Sequence, residues 1–419
     1  MTAPPGMGRG RRTVTVIGGG VHVVGLLEAL ARAADLPDLD IRLVARREDR
    51  LGVIGRHAAL VLRAWRPGWT LRWTTDLADG VRGSDVVVPL VRIGGSAARD
   101  HDERFPTVFG LVGDEGIGPG GMANAWRTLP PLRSMAEVIT SLAPGALVAN
   151  LMAPLGVTTR ALTDAGLHCI GVCELPIVVR DRLLAHVPAD RIEDTRAALG
   201  FGGLNHLSWY WPTTSEAVPT VRSAALAAGL VDAATWDRFG GVPMPYYFRV
   251  LEPARGEALG IRQPAGRAVE LASQSERALE RMRLHPGSPV PELAQRPTPW
   301  FDRALVPVMA GWWGVRPYEG PLNLMDHGHL AGVPDGSVAE VRAEAHDGRV
   351  GVPAPDDPPG VIVDFLGRWS TVEGLLHRAT VDRNPSGIAA AVDALPVDLG
   401  PEERRLLARS VMADVGVAA

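Results

Sequence analysis

Thr13-Val14-Thr15-Val16-Ile17-Gly18-Gly19-Gly20-Val21-His22 is the stretch that decides the fold. A β-branched apolar run meets three glycines, and apolar residues then recur at helical spacing over 24–33. This reads as strand, tight turn and helix, the first unit of a dinucleotide-binding fold. The glycines let the backbone turn sharply and approach a pyrophosphate. The helix N-terminus offers free N–H groups and a partial positive charge. Gly18, Gly19, Gly20, Val21 and His22 are therefore candidate cofactor-binding residues.

Outward from this unit the pattern alternates. A second strand is expected over 40–45, ending in Ala45-Arg46-Arg47. An acidic residue usually grips the ribose there, about 20 residues past the glycines. Two arginines suit a 2′-phosphate instead, so NADP stands open beside NAD, and Arg46 is the candidate contact. A helix is expected over 51–65 and strands over 70–74 and 85–91, the last leading into Arg92-Ile93-Gly94-Gly95. The glycine-dense stretch 113–121 reads as a functional loop. A helix over 132–142 precedes strands over 146–150 and 168–173. Such alternation implies a parallel, doubly wound sheet, with ligands outside the carboxyl ends of its strands. Arg92, Asn150 and Cys173 fall there.

The bulk properties narrow the class. The 419 residues suggest roughly two to three domains. With 46% hydrophobic and 21% charged residues, a large core is expected. A net charge of −4 argues against nucleic-acid binding. The 43 basic residues are all arginine, which excludes Schiff-base chemistry and a Walker lysine. The 2 cysteines, Cys169 and Cys173, make no disulfide framework. No apolar run reaches the roughly 18 residues of a membrane span, and residues 1–12 lack the apolar region of a signal peptide. A short disordered tail over 1–12, a Rossmann domain over 13–200 and a mainly helical α/β domain over 201–419 are expected, in a cytoplasmic protein. Within the second half, helices are expected over 223–230, 266–282 and 338–345, and two more around a break at 393–396. Proline-rich loops are expected over 286–299 and 353–359.

The motifs then fall into a known order: Gly18-Gly19-Gly20, Arg92-Ile93-Gly94-Gly95, Asp102-Glu103-Arg104 leading to Gly113-Asp114-Glu115, Gly118-Pro119-Gly120-Gly121, and Arg127-Thr128-Leu129-Pro130. Gly171-Val172-Cys173, Gly203-Leu204-Asn205-His206, Pro245-Tyr246-Tyr247-Phe248-Arg249 and Asp326-His327-Gly328 with Val333-Pro334 follow. The chain resembles glycoside hydrolase family 4, the NAD- and metal-dependent glycosidases. The resemblance implies a lactate- and malate-dehydrogenase-like Rossmann domain and a homodimer or homotetramer. It also implies a redox route that dispenses with paired carboxylates. On that route NAD+ oxidises the sugar at C3, and a tyrosine removes the C2 proton. A divalent metal, usually Mn2+, holds the C2 and C3 oxygens while the C1 substituent leaves. Water then adds and the hydride returns.

By motif, Cys173 and His206 match the family's metal ligands, and Tyr247 matches the tyrosine base, with Tyr246 one residue out of register. Thiolate and imidazole are good donors to such ions, although a small buried thiol is the commoner fate of a lone cysteine. Arg92, Asp114, Glu115, Asn150, Glu174, Asn205 and Arg249 are the substrate-binding candidates. The chain departs from the family at Ala45, Asp114, Ala153, Glu174 and Asp326-His327. A buried carboxylate needs a cationic partner. Asp114 and Glu174, standing where the family has neutral amides, point to an unphosphorylated or amino-bearing glycoside. The alternative is a sugar or cyclitol dehydrogenase or epimerase on the same scaffold, sharing the oxidation and proton transfer but not the elimination.

Overall fold

The computed structural model describes residues 10–262, 266–353 and 357–413. Its first half is a parallel sheet of β1 (Arg12–Ile17), β2 (Leu39–Val44), β3 (Thr70–Thr74), β4 (Val86–Pro89), β5 (Leu147–Asn150) and β6 (His168–Gly171), in the order β3-β2-β1-β4-β5-β6. This is the Rossmann order. Every residue of β4 and β5 is buried, as parallel strands covered on both faces should be. The helix Val23–Arg32 buries Leu26, Leu27 and Leu30 against the sheet.

The turn after β1 depends on one glycine. Gly18 has φ +154°, and a Cβ there would lie 2.3 Å from the carbonyl oxygen of Leu90. Any larger residue would drive the turn off the end of β4. Gly20 meets nothing within 4 Å, so the space above it is open to a ligand.

The second half holds more sheet than its composition suggests. Strands β7 (Leu199–Gly203), β8 (Trp209–Pro212), β9 (Val242–Pro243), β10 (Tyr318–Met325), β11 (Val338–His346) and β12 (Arg349–Gly351) continue the first sheet. β10 pairs antiparallel with β6, and β11 lies between β10 and β7. One sheet therefore runs past residue 200, where the domain boundary was expected, and that position falls inside β7. The segment 338–345, expected as a helix, is strand β11. Its Ala, Glu and Arg favour helix locally, but partners on both sides override that preference.

Other departures are smaller. The stretch 118–121 is not loop but the first turn of the long helix Gly118–Leu142, started by Pro119 near its N-terminus. The chain end forms the helices Gly360–Val381, Pro385–Asp393 and Pro401–Val411, broken near 393–396 as expected but three in number. The expected tail over 1–12 lies outside the described residues up to position 9, as does 354–356 of the loop over 353–359. No helix among the described residues is long and apolar enough to cross a membrane.

Gly18→Ala is expected to cost about 2 kcal/mol in chemical denaturation, because it combines a backbone clash with a disfavoured φ. Gly20→Ala, with open space around it, is expected to stay within about 0.5 kcal/mol of the wild type. Equal stability of the two variants would show that the turn is wrongly described.

Candidate active site

The carboxyl ends of β4, β5 and β6 face a cleft closed by the loop 113–117 and by residues beyond β7 and β9. An ion-pair network fixes the loop. Glu115 receives both arms of Arg92 at 2.9 Å and stands 3.2 Å from Arg99, which also pairs with Glu103 at 2.6 Å. These charges hold the Glu115 carboxyl below its usual range against the opposing effect of burial. Asn124, inside the helix Gly118–Leu142, donates to the carbonyls of Glu115 and Ala153 and so ties the loop to the turn after β5. Arg127 grips buried Asp102 below.

Asp114 points into the cleft. Among the described residues its hydrogen-bond donor is the N–H of Gly116, at 2.8 Å. Burial pushes its carboxyl up to about 6, with Glu115 adding to the rise and the Gly116 N–H, Arg249 and Arg99 opposing it. Arg249 and Arg267 complete this wall.

His206 stands opposite, at the tip of the β7–β8 turn. Its φ is +66°, uncommon for any residue but glycine. The ring stacks on Tyr246 with centroids 3.9 Å apart and planes 13° from parallel. Arg249 lies over the other ring of this stack, 4.5 Å from the Tyr246 centroid. Nδ1 of His206 is buried without a hydrogen-bond partner among the described residues. Burial, aided by Arg249, pushes the imidazole down to about 4, so it is neutral at ordinary pH. A neutral ring keeps one nitrogen lone pair for a ligand. Burial and the Asp114 carboxylate raise the Tyr246 phenol well above its usual range, while Arg249 opposes them.

Cys173 follows β6 and is buried. Burial first, then Glu340 and Glu174, raises its thiol; the N–H of Leu175 and the amide of Asn205 point at the sulfur and oppose the rise. Glu174 is half-buried beside it, with Arg303 and Arg296 nearby. No cluster of three or more His, Cys, Asp or Glu side chains able to hold a metal occurs among the described residues. The donors available are thus one thiol and one imidazole with an unpartnered nitrogen, a pair that fits a divalent ion completed by substrate oxygens or water.

Three expected site residues are engaged within the fold. Tyr247 is buried in a cluster with Trp209, Phe239, Phe248 and Phe365, and its hydroxyl approaches Glu252 at 3.4 Å. Tyr246 and Tyr247 enter a helical turn, where neighbours point about 100° apart, so only one can face the cleft. That one is Tyr246. Asn150 is fully buried: its amide donates to Thr158 and Thr159 and accepts from the N–H of Met152. With every group used inside the fold, it shapes the β5 turn rather than touching a substrate. Asn205 directs its amide at Glu340 and Cys173, inside the fold.

At the glycine turn, Val21 is buried and His22 is half-buried. Burial, with Arg296 and Arg92, pushes His22 down to about 4. Gly19 sits against Ala45, and Arg46 is exposed just beyond β2. Arg296 is a contributor the sequence did not reveal: it joins this turn to the Glu115 network, and its Nε is buried and unpartnered. Arg99, Asn124, Arg267 and Glu340 were also missed. Only Arg99 carried a signal, the spacing of four to Glu103. A second cavity lies far from this chemistry, and its arginines are engaged: Arg180 with Asp181, Arg196 with Glu193, and Arg342 with the carbonyl of Leu199.

Residues 13–188 match the family 4 glycosyl hydrolase profile. The chain is 26% identical over 359 residues to the probable 6-phospho-beta-glucosidase of Bacillus subtilis, covering 80% of each chain. It is 23% identical to the 6-phospho-beta-glucosidase of Escherichia coli, over 96% of this chain and 94% of that one. A structure of the 6-phospho-beta glucosidase from Thermotoga maritima with manganese, NAD+ and glucose-6-phosphate superposes with a TM-score of 0.80 at 20% identity, over 96% of this chain and 97% of that one. In its motifs, its sheet and these relatives, the chain is similar to family 4 of the glycosyl hydrolases, whose pattern its residues 13–188 match.

Proposed function

We propose that the protein is an NAD- and divalent-metal-dependent glycosidase in which Tyr246 is the base and Cys173 and His206 are the metal ligands. The observation that carries this reading is the stacked pair of Tyr246 and His206, with the buried, unpartnered Nδ1 of His206, beside the carboxyl ends of the parallel strands. The turn at Gly18, Gly19 and Gly20, with open space above Gly20, fits a dinucleotide, and Arg46 and His22 flank it in the chain. When bound, the dinucleotide supplies oxidation and re-reduction of a sugar carbon, and the metal acidifies the neighbouring C–H through the sugar oxygens.

The chain's own groups do the rest. Tyr246 removes a proton from the sugar carbon in front of it, and a phenol needs nearby positive charge for that task. Arg249 over its ring supplies part of it. Neutral His206 keeps one nitrogen lone pair for a ligand. The Arg92–Glu115–Arg99 network holds the loop that closes the cleft over the substrate.

The charge balance bears on the substrate. With Glu115 engaged by Arg92 and Arg99, the cleft presents Arg249 and Arg267 against Asp114. This surplus of positive charge favours a glycoside bearing a phosphoryl or carboxylate group, in keeping with the names of the relatives. Asp114, buried and without a paired cation, favours the second reading, an unphosphorylated or amino-bearing glycoside.

Incubation with NAD+, Mn2+ and a panel of phosphorylated, uronic, neutral and amino glycosides in deuterated water separates these outcomes. Release of a sugar carrying deuterium at C2 is expected. Net redox or inversion without cleavage would instead mark a dehydrogenase or epimerase. Tyr246→Phe is expected to lower kcat by about 10²-fold or more. Tyr247→Phe is expected to leave kcat within about threefold and to act on stability alone. The reverse ranking would overturn the assignment of the base.

A further inference from the structure

A row of four residues crosses the sheet between the two proposed metal ligands. In register, Gly171 of β6 faces Asn323 of β10, Asn323 faces Glu340 of β11, and Glu340 faces Gly203 of β7. Cys173 lies two residues beyond Gly171, and His206 three beyond Gly203. The two ends of the row lack side chains, and for a steric reason. A Cβ on Gly171 would lie 2.8 Å from that of Asn323, and one on Gly203 would lie 2.4 Å from the Cα of Ser208. The two polar side chains in the middle are both fully buried.

Glu340 is a buried carboxylate with no cation at salt-bridge distance among the described residues. Its partners are neutral donors: the amide of Asn323 at 2.9 Å and that of Asn205 at 3.1 Å on one oxygen, and the hydroxyl of Ser208 at 2.6 Å on the other. Asn205 and Ser208 bracket His206 in the chain. Asn205 also directs its amide at the sulfur of Cys173. One carboxylate thus fastens the His206 turn on both sides and, through Asn205, reaches the thiol. A hydrophobic residue of similar volume would fill the same space without a buried charge, so packing alone does not account for glutamate here.

We propose that Glu340 is a positioning residue that sets the spacing and orientation of Cys173 and His206 for a divalent metal. This rests on the reading of those two residues as ligands. The role is geometric: two of its three accepted hydrogen bonds hold Asn205 and Ser208, and with them the left-handed backbone of His206, while the third ties it to Asn323. Such outer partners are worth about 10- to 100-fold in metal affinity.

The test is Mn2+ binding to the full-length protein by calorimetry, without substrate, with NAD+ affinity measured in parallel. Glu340→Ala is expected to weaken Mn2+ by about tenfold or more, with NAD+ affinity within about twofold, because the glycine turn lies on β1 across the sheet. Glu340→Gln keeps one oxygen for both asparagines and a group for Ser208 to bond, and is expected to restore Mn2+ affinity to within about threefold. Ser208→Ala, a milder change should Glu340→Ala fail to fold, is expected to weaken Mn2+ by about threefold to fivefold. Wild-type Mn2+ affinity in Glu340→Ala or Ser208→Ala would overturn the positioning role, as would Glu340→Gln binding as weakly as Glu340→Ala. The controls Cys173→Ser and His206→Asn keep the two readings apart. If they lose Mn2+ while Glu340→Ala keeps it, the ligands stand and the positioning role falls. If they keep wild-type affinity, the ligand assignment itself falls.

Discussion

The site depends on His206 being held in a left-handed backbone conformation at the tip of the β7–β8 turn. A non-glycine residue there costs on the order of 1–3 kcal/mol, and such strain persists only where the surroundings over-determine it. Three features do so. Gly203 lets β7 close onto Ser208, Tyr246 stacks on the ring, and Glu340 holds the residues on either side. Hydrogen bonds to a charged group contribute roughly 1.5–3 kcal/mol each. Burying a carboxylate costs several kcal/mol. Burial raises the Glu340 carboxyl to about 7 against the opposing bonds from Ser208, Asn323 and Asn205, so the cost of burial outweighs them and Glu340 adds little net stability. What it adds is a defined position for the turn.

The absence of lysine shapes the electrostatics around that turn. Arginine keeps its charge when buried and presents a planar fork that meets a carboxylate with two bonds. Arg92 and Arg127 each use that geometry, on Glu115 and Asp102 respectively. These pairs lock the loop and the long helix beneath it. Arg249, Arg267 and Arg296 are not consumed in the same way, and they leave the cleft with positive charge beside the Gly18–Gly20 turn. The dinucleotide proposed for that turn would carry negative charge to the same place, so the surplus bears on the proposed cofactor as well as on the substrate.

Much of this was legible in the sequence, and the failures have physical causes. The β1 turn, the alternation through β6 and the position of Cys173 follow from apolar runs and glycines, which are local properties. Strand β11 was not legible, because its residues prefer helix until β10 and β7 pair with it. Glu340 was hidden by the same misreading. Tyr246 and Tyr247 are adjacent, and only the helical turn that separates them by about 100° decides which faces the cleft. Asn150 sits at the carboxyl end of a strand as a ligand contact should, yet Thr158 and Thr159 take its amide. Fold followed from period and glycine placement; side-chain direction required the tertiary contacts.

The divalent metal proposed here would lie between His206 and Cys173, in front of Tyr246. Anomalous scattering at the manganese edge, from crystals grown with Mn2+ and NAD+, tests it most directly. The account predicts a single strong peak within bonding distance of Nδ1 of His206 and the sulfur of Cys173. No peak there, with manganese found only at a separate group such as the Asp326–His329 turn, would contradict it.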